Sequence, residues 1–89
     1  MRLTLRGELD ISTAEELEKR LQAVESNRVV LDLRELEFID SSGVRVLVVM
    51  ARQFDESGRE LALIRGADEV DRVLRLTGID EQIEVVDAE

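Results

Sequence analysis

Phe38-Ile39-Asp40-Ser41-Ser42-Gly43-Val44 leads from two apolar residues through a carboxylate, two hydroxyls and a glycine into an almost unbroken apolar run that ends at Ala51. Short side-chain oxygens accept hydrogen bonds from the free amides of a first helical turn. Asp40, Ser41 and Ser42 are therefore all N-cap candidates, and the stretch reads as a turn that opens a helix. Gly43 brings no side chain and leaves the backbone open to close approach by another molecule. Capping is one use of these residues. The other is a serine hydroxyl that accepts a phosphate, where helix amides and the helix dipole favour an anion. The residues by themselves leave both uses open.

Working outward, four valines between Val44 and Phe54 favour a strand, but length and periodicity predict a helix. Val44, Leu47, Val48, Ala51 and Phe54 fall on one side of it. At about 100° per residue, Val46, Val49 and Met50 fall on the opposite side, with Arg45 and Arg52 between the two. That second stripe either packs on a neighbouring helix or offers a partner surface. Before the turn, Val29 to Leu33 is a short apolar run, the pattern of a strand covered on both faces. Arg34 to Glu37 reads as a charged connection, with Phe38 and Ile39 plugging the core beneath the turn.

At the start of the chain, Leu3, Leu5 and Leu9 alternate with Arg2, Thr4, Arg6 and Glu8, which predicts a strand over residues 2–9 with Gly7 marking a bulge or close packing. Ser12 with Glu15 three residues on forms a capping-box pattern. Leu17, Leu21 and Val24 then predict an amphipathic helix over residues 13–25. Leu61 to Ile64 is a third core strand. Ala67 to Leu76 is a helix stopped at Thr77-Gly78, and Ile83, Val85 and Val86 belong to a last strand.

The resulting order β-α-β-α-β-α-β predicts a single α/β domain over residues 1–89: one layer of mainly parallel four-stranded sheet with three helices and right-handed crossovers. Sites in open α/β sheets form outside the carboxyl ends of strands. Asp10, Ser12 and Thr13 after the first strand, Asp40 to Gly43 after the second, and Arg65 and Gly66 after the third should then meet on one edge.

Composition narrows the chemistry. The 89 residues carry a net charge of −9, and their eleven arginines and one lysine are scattered singly. This disfavours nucleic acid and anionic membrane partners, both of which need basic patches. No apolar stretch approaches the roughly 18 residues of a membrane span, and no signal-peptide pattern opens the chain, so the expected location is cytoplasmic. Histidine and cysteine are absent, which removes a Ser-His-Asp triad, a phosphohistidine relay, thiolate metal sites and disulfides. Neither GxxxxGK[ST] nor GxGxxG occurs. No enzyme, cofactor or dedicated metal site is expected. A charged fraction of 37% without Pro, Trp or Tyr fits a thermophile or a consensus-like or designed sequence.

The stretch FIDSSGV, residues 38–44, resembles the phosphorylation-site motif of the STAS domain found in bacterial anti-sigma factor antagonists. The likeness extends to Leu5-Arg6-Gly7-Glu8-Leu9-Asp10 with Ser12-Thr13-Ala14, to Val29 through Leu33, and to Leu76-Thr77-Gly78-Ile79. The resemblance also implies a strand before the first and a helix after the last, so against the family's usual pattern residues 1–89 are expected to form a trimmed version of the domain.

The resemblance implies that Ser42 is the phosphorylated residue. It further implies that the protein sequesters an anti-sigma factor serine kinase until that kinase modifies it, and that a phosphatase resets it. Asp10 and Asp40 match family acids beside the serine. Together with the helix-face reading, the expected partner-binding set is Asp10, Ser12, Thr13, Asp40, Ser41, Ser42, Gly43, Arg45, Val46, Val49 and Met50, on a monomer. A minimal or designed STAS-like scaffold without an active partner, or a STAS subunit of a larger signalling or transport complex, are the alternatives.

Overall fold

The computed structural model describes residues 1–87. Its elements run β1 (Arg2–Leu9), α1 (Ala14–Ala23), β2 (Arg28–Ile39), α2 (Ser41–Glu56), β3 (Glu60–Ile64), α3 (Asp68–Thr77), a short 3-10 turn (Ile79–Glu81) and β4 (Glu84–Val86). The four strands are all parallel and lie in sequence order across the sheet. This is the α/β architecture that the alternation of patterns predicts. Consecutive right-handed crossovers in one direction put all three helices on one face.

Register shows which face that is. Leu3, Leu31, Leu63 and Val85 are partners across the four strands. They share a side with Val29, Leu33 and Leu61, because side chains on a strand alternate. Leu17 and Leu21 of α1, Leu47, Met50 and Phe54 of α2, and Val70 and Leu74 of α3 close over these residues in one core.

The opposite face corrects how the second side of β2 is covered: it carries none of the three helices, yet Asp32, Ala62 and Ile64 are buried there as the apolar run predicts. Arg2, Val30, Ala62 and Glu84 form one row there, and Thr4, Asp32, Ile64 and Val86 the next. Arg28 bridges Glu60 at 3.4 Å and Glu84 at 3.2 Å. Asp32 is buried and accepts from the Arg34 guanidinium on both carboxylate oxygens, at 2.7 to 3.2 Å. The stems of such long side chains shield the small apolar residues between them.

A second correction concerns residues 34–37. They are not a connection but the middle of β2, which runs for twelve residues. Its pairing with β1 slips twice, between Thr4 and Arg6 and between Gly7 and Glu8, each time with an extra residue on β2. These bulges disguise the alternation, since Leu36 and Ile39 are both buried although they lie three positions apart, which would put them on opposite faces of a regular strand. Gly7 adopts φ 74°, as the irregular pairing there requires. Phe38 does not plug the core. It pairs with Glu8 and is 47% exposed, while Ile39 alone is buried.

No helix of the described residues is long and apolar enough to cross a membrane.

Candidate functional site

Two turns build the site. In the first, Asp10 Oδ1 accepts from the Ser12 amide at 2.9 Å, the Ser12 hydroxyl at 2.7 Å and the Thr13 amide at 3.3 Å. The Ser12 hydroxyl bond does most to hold the Asp10 carboxyl below its usual value; desolvation works against it, and the two amides add to the lowering. Thr13 donates its hydroxyl to the Glu8 carbonyl at 2.8 Å and accepts from the Asp10 amide at 2.9 Å. The capping box expected at Ser12 and Glu15 does not form. Asp10 organises the turn instead, and α1 begins at Ala14 with no side-chain cap on its first amides.

In the second turn Asp40 is the N-cap. Its Oδ1 accepts from the amides of Ser42 at 2.8 Å and Gly43 at 3.1 Å. Among the described residues neither the Ser41 nor the Ser42 hydroxyl takes part in a hydrogen bond within the protein, whereas the hydroxyls of Ser12, Thr13, Ser57 and Thr77 all do. Ser41 is exposed and Ser42 half-buried.

The Asp40 amide donates to the Leu9 carbonyl at 3.2 Å, which places the two turns side by side. Gly43 has a different role from the one its missing side chain implies. It is buried, and a Cβ there would lie 2.7 Å from the Leu9 carbonyl oxygen, so the close approach is made by the protein's own first strand.

Above the turns, α1 and α2 pack together and leave a groove of about 400 Å3 lined by Ile11, Ala14, Glu15, Glu18, Ser42, Arg45, Val46 and Val49. Of the predicted partner set, Ser42, Arg45, Val46 and Val49 come together here, with Asp10, Ser12, Thr13, Asp40 and Ser41 in the adjoining turns.

Met50 does not belong to this surface. It is 1% exposed and shares the sheet-facing stripe Gly43, Leu47, Met50 and Phe54. The core-facing side of α2 is rotated from the one predicted, because Val44, Val48 and Ala51 only flank it. Arg65 and Gly66 do not reach the site either. Gly66 packs on Leu33, seven residues before Asp40, which is on the order of 20 Å of extended chain.

The residue that sequence reasoning missed is Ile11, 81% exposed. Its signal was a β-branched residue standing alone between the polar residues Asp10 and Ser12. Glu15, expected in a capping box, and Glu18 also line the groove.

The described residues contain no group of three or more Asp and Glu placed to hold a metal ion. What the site offers is an accessible serine hydroxyl at a helix start, an apolar groove with acidic and basic rims, and two hydrogen-bonded turns beneath.

The family model described as Mlab, STAS domain matches residues 1–87. BtrV of Bordetella bronchiseptica, which bears the name of an anti-sigma factor antagonist, is 36% identical over 77 residues, covering 83% of this chain and 66% of that protein. The anti-sigma F factor antagonist of Paenibacillus polymyxa is 29% identical over 89 residues, covering 96% and 76%. Among solved structures, the anti-sigma factor antagonist SpoIIAA in its unphosphorylated form superimposes with a TM-score of 0.83 at 22% identity, covering 99% of this chain and 78% of that one. The phosphorylated Bacillus form gives 0.76 at 21%, covering 99% and 81%. The chain thus spans about two thirds of the first relative and three quarters of the second. From sequence to fold, this chain belongs to the STAS domain family, among relatives that are anti-sigma factor antagonists.

Proposed function

We propose that this protein is an anti-sigma factor antagonist whose binding is switched by phosphorylation of Ser42. The observation that carries the reading is the Ser42 hydroxyl, free of any hydrogen bond within the described residues and opening on the α1–α2 groove. The unphosphorylated form binds an anti-sigma factor that is also a serine kinase, with Ile11, Val46 and Val49 as apolar contacts and the Asp10 and Asp40 turns at the rim. The kinase transfers the γ-phosphoryl group of ATP to Ser42 Oγ. ADP leaves, and the serine proton passes to a base of the kinase. A phosphatase reverses the modification by hydrolysis, in the cytoplasm.

The modification adds about −1.5 to −2 charges. The fold accommodates it, because Ser42 projects from the first turn of α2 rather than from the core. A partner packed on the groove meets a bulky dianion among carboxylates, and a loss of about 3 kcal/mol weakens binding more than a hundredfold. That SpoIIAA is solved in both forms supports the reading by analogy.

The test is incubation with an anti-sigma kinase and ATP, read by intact mass and by affinity. Ser42→Ala binds and stays unmodified, Ser41→Ala is still modified, and Ser42→Asp folds but binds weakly. Phosphate on Ser41, or a Ser42→Asp variant that binds as tightly as the parent, refutes the assignment.

A further inference from the structure

Ser42 and Arg45 lie three residues apart on α2 and line the same groove. Residues at that spacing are neighbours on a helix, about 5–6 Å between Cβ atoms. Helical side chains lean toward the helix N-terminus, so Arg45 leans back over the turn that carries Ser42.

Arg45 also differs from most arginines here. Arg6, Arg28, Arg34, Arg65 and Arg75 are in ion pairs, and Arg59 donates to the carbonyls of Val24 and Ser26. Exposed Arg45 has no such partner among the described residues, and it is the only cation lining the groove. The acids around it are Glu15 and Glu18 from α1, of which Glu15 holds Lys19 at 3.3 Å. Asp10 and Asp40 stand in the turns, each already accepting from backbone amides.

We propose that Arg45 is the built-in counter-ion of a phosphate on Ser42, pairing with it along the first turns of α2. The inference rests on Ser42 as the phosphate acceptor and adds what the modification does inside the protein. Unmodified, Arg45 is available to a carboxylate of the partner. Modified, it turns to the phosphate, so one covalent event both installs a dianion and withdraws the groove's cation. Glu15 and Glu18 are then left to repel an acidic partner.

Phosphoserine installed at position 42 during synthesis, in the parent and in Arg45→Gln, is titrated by phosphorus NMR. The second ionisation of phosphoserine lies near 6. Asp10, Glu15, Glu18 and Asp40 push it up in both proteins alike, and Arg45 pulls it down in the parent only. A pair at this spacing corresponds to a rise of about 0.2–0.4 pH unit in Arg45→Gln. The difference shrinks at about 1 M salt, where screening acts over roughly 3 Å. Arg45→Lys keeps part of the shift. Arg52→Gln, an exposed change further along α2, leaves the titration where it was.

Superimposable titrations of the parent and Arg45→Gln, or an equal shift from Arg52→Gln, overturn the proposal. Because synthesis supplies the phosphate, the titration reads the same whether or not a kinase acts on Ser42. A kinase that modifies another residue refutes the switch and leaves this pairing standing, while a flat titration in a protein the kinase does modify refutes the pairing alone.

Discussion

Gly43→Ala measures how tightly the site is joined to the sheet. A Cβ at position 43 would stand 2.7 Å from the Leu9 carbonyl oxygen, 2.8 Å from Ile39 Cγ1 and 2.8 Å from Leu9 Cγ. The two side chains have rotamers to use. The carbonyl does not, since it accepts from the Asp40 amide at 3.2 Å and moves only if the two turns part. In a free helix the same change would stabilise by about 1 kcal/mol. Overpacking typically costs about 1–3 kcal/mol, and an obstacle made of backbone belongs in the upper part of that range. The net expectation is a loss of about 1–2 kcal/mol. At roughly 4–8 °C per kcal/mol for a domain of this size, the melting temperature falls by about 5–15 °C. Urea denaturation reads the same loss as a lower midpoint with an unchanged slope. A variant as stable as the parent, or more stable, would show that α2 does not press on the end of β1 as described.

Asp40→Ala removes the acceptor of the Ser42 and Gly43 amides and should cost about 1 kcal/mol in urea denaturation; no loss would mean that α2 is not capped there. Leu47→Asp buries an unpaired charge at the centre of the core and should leave the chain unfolded by circular dichroism, whereas Val44→Asp, at a half-buried position, should fold with reduced stability. The Arg34 guanidinium holds Asp32 down to about 2 against the burial that raises it. A carboxyl depressed by folding stabilises the protein above its unfolded value near 4 and ceases to do so as pH falls through about 2. The stability advantage of the parent over Asp32→Asn should therefore shrink between about pH 4 and pH 2, and a constant difference would contradict this.

The pattern of the chain gave away its topology because each element carried its own period. Val29, Leu31 and Leu33 alternate, Leu17 and Leu21 recur by four, and Gly78 ends α3 in a left-handed turn. Local chemistry likewise marked the Asp40 turn. What stayed hidden depended on partners distant in sequence. The β2 bulges shift the inward phase, so residues 34–37 lost the look of a strand. Met50 and Val44 exchange importance because α2 is rotated by the packing of α1 and the sheet, which its own periodicity does not fix. The charged outer face was unreadable because Val30, Ala62 and Ile64 resemble core until the arginine stems above them are seen. Ile11 follows a strand that ends at Leu9, and only the bend at Asp10 turns it outward.

β2 is twelve residues long and β3 only five, and β3 pairs with β2 no further than Asp32. Beyond that point, among the described residues, Glu35–Ile39 is laddered to Arg6–Leu9 alone. The site is thus mounted on a two-stranded ribbon that projects past the four-stranded region, and such ribbons are marginal by themselves. In hydrogen exchange this part of the chain should behave as a separate opening unit, with amides of Glu35–Ile39 exchanging at lower free energy than those of Val29–Leu33. A partner seated on the groove would clamp the ribbon at its far end, and its footprint would appear as slowed exchange along strand residues that it never touches.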